Sequence, residues 1–410
     1  MLYHAYEMTH AALAPMRQMA RFNREALSSA ANPFADSYGA RVGAAGLDMF
    51  IKATKRYDKP EFGLSSTEIE GAQVAVIEEI TLSLPFCNLL HFKRDTTAKS
   101  QKLLIIAPLS GHYATLLRGT VKEMLPDHDV YITDWTDSRD VPLSAGDFDL
   151  DDYTDYLVKF CEVLGEAGER PAVLAVCQPG VPMLVAAALM AERGAAYRPS
   201  SMTLMGSPVD TAQNPQTPNE LATTKPLSWF EQNVITKVPW PNTGFMRRVY
   251  PGFLQLSGFM SMNLDRHVSA HKDHFRNMIK GDGDSTESHR KFYDEYMAVM
   301  DLSASYYLQT IERVFQKRLL AEGAYYYRDQ LVDPSKITDI ALLTVEGEKD
   351  DITGLGQTEA AHKLLKTPKK MRQHYVQEGV GHYGVFNGSR WRGVIAPKVK
   401  AFIAKHRADG

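Results

Sequence analysis

The chain has 410 residues, 44% of them hydrophobic and 23% charged, the balance of an ordinary globular protein with more chain than one minimal core needs. A formal net charge of −3 gives no electrostatic reason to expect nucleic acid as a partner. Its three cysteines, Cys87, Cys161 and Cys177, are odd in number and scattered, which argues against a disulfide framework or a zinc site and fits a reducing compartment.

The first segment, residues 1–66, is expected to be helical over most of its length. Ala, Met, Leu and Arg recur at helical spacing up to about Leu27, Asn32-Pro33 breaks the pattern, and a second helix is expected to run to about Arg56. This front piece is expected to pack on the main domain through its apolar faces, with docking to a partner as the alternative. No basic start with an apolar core and a cleavage site opens it, and no window approaches the roughly 20 apolar residues that span a bilayer. A cytoplasmic chain without a membrane span is the expectation.

From Thr67 the texture changes. Gln73–Ile80 alternates and is rich in β-branched residues, Leu89–Lys93 is a second short strand, and Leu103–Ala107 is a continuous apolar run. Such runs read as strands buried on both faces of a parallel sheet. A helix over Thr115–Met124, a strand over Val130–Asp134, a helix over Leu150–Leu164, a strand over Ala172–Val176, a helix over Val181–Arg193 and a strand over Ser201–Met205 follow in order. Strand–helix alternation of this kind predicts a mostly parallel, doubly wound α/β sheet. It stops at about Gly206 and resumes with a strand over Ile340–Val345, a last strand near Gln373–Gln377 and a last helix near Pro397–His406. The core is therefore expected to comprise 67–206 and 336–410. Residues 207–335, rich in aromatics and Met, are expected to form a mainly helical insertion that covers the end of the sheet as a lid.

The segment Val176-Cys177-Gln178-Pro179-Gly180 joins a buried strand to a helix. A reactive side chain on such a sharp strand–turn–helix bend is the nucleophile elbow. Ala175 supplies the small residue the bend needs before the nucleophile, and Pro179 can open a helix because its missing N–H would lack a partner there. A helix start favours an anionic sulfur, and a neighbouring His would shuttle its proton. Elsewhere a cysteine at a strand end is ordinarily inert core. The acid is expected after the strand ending at Val345, in Glu346-Gly347-Glu348-Lys349-Asp350-Asp351, where Asp350 fits the loop position and Asp351 remains its alternative. The base candidate is His382, among glycines after the last strand, and nucleophile–acid–His is the chain order of α/β-hydrolases. Backbone N–H groups of Gln178 and Leu109, the latter with Ser110 close behind, are the candidate oxyanion donors, and Ser110 is also a candidate substrate contact. His271 and His274 share a helix face with no further ligand nearby, so no metal site is expected there.

Five segments together resemble the intracellular short-chain polyhydroxyalkanoate depolymerases: Ala107–Tyr113, Thr133-Asp134-Trp135, Val176-Cys177-Gln178-Pro179, Glu346–Asp351 and Gly381–Phe386. The Cys-Gln-Pro elbow is the specific one, since most relatives of the α/β-hydrolase fold carry Gly-x-Ser-x-Gly. The resemblance implies a Cys–Asp–His triad on Cys177, Asp350 and His382. It also implies amorphous poly(3-hydroxybutyrate) in cytoplasmic storage granules as substrate and partner, and a thioester intermediate released to water or to a thiol such as coenzyme A. No metal or redox cofactor is implied. Polyhydroxyalkanoate synthases and thioesterases share the chemistry, a non-catalytic granule-coat protein is the alternative of another class, and a homo-oligomer stays open.

Overall fold

The computed structural model describes residues 2–166, 168–262, 264–280 and 283–407. Its centre is a nine-stranded sheet: β1 (Ser66–Ile69), β2 (Ala72–Leu84), β3 (Cys87–Arg94), β4 (Lys102–Ile106), β5 (Asp129–Trp135), β6 (Ala172–Val176), β7 (Ser201–Met205), β8 (Ala341–Gly347) and β9 (Arg372–Gln377). The spatial order is β1-β2-β3-β5-β4-β6-β7-β8-β9. The first three strands and the β3–β5 pair are antiparallel, and from β5 to β9 every pair is parallel. This is the strand arrangement of the α/β-hydrolase fold, as the alternation predicts.

The apolar runs explain why these strands lie inside. Every residue of β6, β7 and β8 is buried, as parallel strands covered by helices on both faces must be. The expected edges hold closely, with Leu150–Leu164, Ala172–Val176 and Ser201–Met205 matching the predicted spans. Two differences have local causes. β1 has no sequence periodicity and pairs only at the outer edge. β2 runs on to Leu84 past a register irregularity between Ile80 and Leu82, where a bulge interrupts the alternation seen up to Ile80.

Helices α1 (Leu2–Ser28) and α2 (Tyr38–Thr54) form an antiparallel hairpin. In the core, α3 (Arg118–Met124), α4 (Leu150–Leu164) and α5 (Gly180–Glu192) connect strands. Between β7 and β8 come α6 (Thr217–Thr224), α7 (Leu227–Asn233), α8 (Gly252–Met262), α9 (Leu264–Lys280), α10 (Gly283–Tyr296) and α11 (Ala304–Gln309). This stretch is mainly helical but also holds a small antiparallel sheet of Thr236–Lys237, Arg248–Tyr250 and Leu302–Ser303. Strands of two or three residues are too short to show a period in sequence.

The front hairpin departs from the expectation that it packs on the main domain. Its principal partner is the insertion: α2 lies against α9, the Tyr6 ring stacks on Phe253 of α8 at 4.2 Å, and the Tyr3 hydroxyl donates to Asp301 at 2.7 Å. His274 of α9 meets Lys52 of α2 and His271 packs on Tyr293, so this histidine pair belongs to the helix packing. Among the described residues no helix is long and apolar enough to cross a membrane.

Candidate active site

Strand order decides which loops meet. At the carboxyl edge of the parallel sheet, β4, β6, β7, β8 and β9 stand side by side in the sequence of β4-β6-β7-β8-β9. They end respectively at Leu109, Cys177, Gly206, Asp350 and His382 or a few residues before them. Residues far apart in the chain are thereby brought to one crevice, where ligands bind in open α/β sheets.

Cys177 sits on the bend itself. Its φ is +66°, a left-handed conformation that costs a non-glycine residue about 1–2 kcal/mol. Two bonds hold it there: its N–H continues the ladder to Met205 O at 2.7 Å, and its carbonyl accepts from Gly180 N at 3.2 Å. Behind it, α5 is buried from Gly180 to Met190, so the helix cannot shift to relieve the bend. Gly180 is obligatory, since a Cβ there would fall 2.4 Å from Cβ of Ser207.

The acid and the base are set by a second ladder. Beyond β8 and β9 the pairing continues through Glu348 N to Gln377 O at 3.0 Å and Lys349 N to Val380 O at 2.9 Å. Gly347 lets these loops touch, because a Cβ there would meet Val380 O at 2.6 Å. The result places His382 Nδ1 2.8 Å from Asp350 Oδ2, with both side chains buried. The other Asp350 oxygen accepts from Ile352 N and Thr353 N at 2.9 and 2.8 Å. Asp351 points to the exposed side, so it is Asp350 that faces the imidazole. Cys177 lines the same cavity as His382, and its sulfur stands close enough to act on the charge of the ring. Burial alone would push the His382 imidazole down, yet the Asp350 carboxylate and the Cys177 sulfur beside it hold it well above its ordinary value.

Leu109 is buried on the loop after β4, where its carbonyl accepts from the Tyr306 hydroxyl at 3.0 Å. Neither Leu109 N nor Gln178 N has a hydrogen-bond acceptor among the described residues. Both residues, with Ser110, Cys177 and His382, line one cavity of about 330 Å³, within the size range of small-molecule sites. The insertion supplies much of its apolar wall, including Leu221, Phe230, Phe259, Tyr307 and Ile311. Two larger hollows, of about 770 and 630 Å³, lie between the front hairpin and α9 and α10, away from these groups.

Some contributors carry no local signal. Gly206, at φ +55°, underlies the pair, and a Cβ there would stand 3.1 Å from Cε1 of His382 and 3.4 Å from Asp350 Oδ2. The only hint is a glycine directly ending a buried strand. Glu346, buried at the end of β8, accepts from Gly356 N, Thr358 N and Glu359 N at 2.9, 2.7 and 3.1 Å and so anchors the loop after Asp350. His112 is buried with Nε2 3.1 Å from Tyr296 O, and burial pushes its imidazole down to about 4.

Residues 206–407 match the family model described as PHB de-polymerase C-terminus. No curated protein matches the chain. Solved structures to which it is similar include a thermophilic esterase from Thermogutta terrifontis, at 14% identity over 84% of this chain and 98% of that one with a TM-score of 0.42. A soluble variant of monoglyceride lipase from Saccharomyces cerevisiae is similar at 11% identity over 83% and 98%, with a TM-score of 0.48. The strand order and the family match carry the assignment: the chain has the α/β-hydrolase fold, carries a PHB de-polymerase C-terminus domain over residues 206–407, and is a carboxylic ester hydrolase.

Proposed function

We propose that the chain cleaves ester bonds of amorphous poly(3-hydroxybutyrate) at cytoplasmic storage granules through a Cys177–Asp350–His382 triad. The observation that carries the reading is the buried His382–Asp350 pair at 2.8 Å in the cavity that the strained Cys177 also lines, with the sulfur close enough to raise the ring's proton affinity. His382 holds the proton of the thiol while the sulfur bonds to the ester carbonyl carbon. The oxyanion is met by the backbone N–H groups of Gln178 and Leu109, whose lack of protein acceptors supports that role. Collapse breaks the carbon–oxygen bond, and His382 returns the proton to the departing alcohol oxygen. Water then attacks the thioester with His382 as base, releasing a 3-hydroxybutyrate monomer or oligomer and restoring the thiol. A thiol such as coenzyme A can replace water in that step. These steps balance without a metal or redox group. Asp350 takes no part in this proton traffic; it orients the ring and stabilises its charge. The insertion acts as a lid whose apolar wall receives the polymer chain.

Release of soluble product from a 3-hydroxybutyrate oligomer, followed by chromatography, tests the reading. Cys177→Ala is expected to lower kcat/KM by about 10⁴-fold or more while leaving the melting temperature near that of the parent. Retained turnover in that variant, or polymer growth from 3-hydroxybutyryl-CoA in place of release, would contradict it.

A further inference from the structure

The cavity wall is apolar except for a few polar side chains, and most of these are already engaged. Gln255 Nε2 donates to Tyr250 O and Met300 O at 3.2 and 3.4 Å. The Tyr306 hydroxyl donates to Leu109 O, and Thr310 Oγ1 donates to Tyr306 O at 2.8 Å. Gln178 is different. It is 9% exposed, and both Oε1 and Nε2 are buried without a hydrogen-bond partner. Among the described residues lining the cavity, no other has a buried side-chain polar atom left so. A buried amide without partners costs free energy in the empty protein, so its presence next to the nucleophile calls for a ligand that pairs with it.

The chemistry of the ester indicates which group that is. Once the acyl carbonyl oxygen lies at the Gln178 and Leu109 N–H groups, the acyl chain starts in the cavity that Gln178 lines. In a 3-hydroxyacyl unit the next polar atom along that chain is the oxygen on C3. It is an ester oxygen inside the polymer and a hydroxyl at a chain end. A carboxamide suits both forms, since Nε2–H donates to either oxygen and Oε1 accepts from the hydroxyl. An acyl unit without oxygen on C3 leaves the amide unpaired, and sites built to pair a substrate oxygen discriminate strongly against the analogue that lacks it.

We propose that the Gln178 side-chain amide is the specificity-determining contact that selects acyl units bearing oxygen on C3. This deepens the ester-hydrolase reading and rests on it. The test compares p-nitrophenyl 3-hydroxybutyrate with p-nitrophenyl butyrate in the parent and in Gln178→Met, which keeps the side-chain length and removes the hydrogen bonds. The parent is expected to prefer the 3-hydroxy ester in kcat/KM, and the variant to reduce that preference by about 10-fold or more. Its melting temperature is expected to hold or rise, because no protein bond is lost. An unchanged preference would overturn the assignment, and a lowered melting temperature with unchanged preference would make the amide a structural group instead. Turnover of neither ester by the parent would count against the hydrolytic reading itself. The assignment is then read from binding of methyl 3-hydroxybutyrate against methyl butyrate to the Cys177→Ala protein. There, adding Gln178→Met must erase the preference, and a preference that persists overturns it.

Discussion

The His382 imidazole holds a proton in the folded protein under conditions where the free side chain has lost it. Its ordinary value is 6.5, and the Asp350 carboxylate and Cys177 sulfur raise it well above that against the effect of burial. Because the folded value exceeds the unfolded one, the stabilisation is fully present below about 6.5 and is lost as pH rises through the folded value. Asp350→Asn keeps the shape of the carboxyl but removes its charge, and burial then lowers the proton affinity of the ring. The stability gap between parent and Asp350→Asn is therefore expected to be widest at about pH 6 and below and to narrow on the alkaline side. Each tenfold loss of the ring's proton affinity contributes roughly 1.4 kcal/mol to that gap. Thermal melts across the range check it, and a gap independent of pH would contradict the charge pairing. The same residue scale holds the strain at Cys177, which the ladder bond to Met205 and the buried start of α5 sustain together.

At the scale of elements, three parts of the chain meet at a buried carboxyl pair. Asp301 accepts from the Tyr3 hydroxyl of α1 and from Gly252 N at the start of α8, while its own N–H donates to Asp137 beyond β5 at 3.1 Å. Burial and the Asp137 carboxylate push Asp301 up to about 7 from 3.8. Here the folded form keeps a proton that the unfolded chain releases, so this group subtracts stability as pH rises from about 4 toward 7, and the cost persists above. Asp301→Asn still offers an acceptor to Gly252 and carries no charge to bury. Its melting temperature is expected to gain on the parent as pH increases from about 4 to about 8, and a loss over the same range would contradict the assignment. The junction bears on the site, because α8 carries Gln255 and Phe259 into the cavity.

At the scale of the whole molecule, legibility in the sequence follows burial. β4, β6, β7 and β8 are readable because strands covered on both faces must be apolar without interruption. Cys177, Asp350 and His382 are readable because each closely follows such a strand, so a one-dimensional pattern locates it. Gly206, Glu346 and Tyr306 are not, since what they do depends on a neighbour supplied by another part of the chain. Tyr306 meets Leu109 across 197 residues, and no local period encodes that. The front hairpin shows the same limit: its amphipathic helices are visible in sequence, but the surface that receives them is the insertion, itself known only once folded.

The most direct measurement is the mass of the protein quenched in acid shortly after mixing with a 3-hydroxybutyrate oligomer, followed by peptide mapping. The expected result is a labile adduct of whole 3-hydroxybutyryl units on the peptide carrying Cys177, absent in Cys177→Ala. Turnover with Cys177 unmodified and the adduct on another side chain would contradict the central claim.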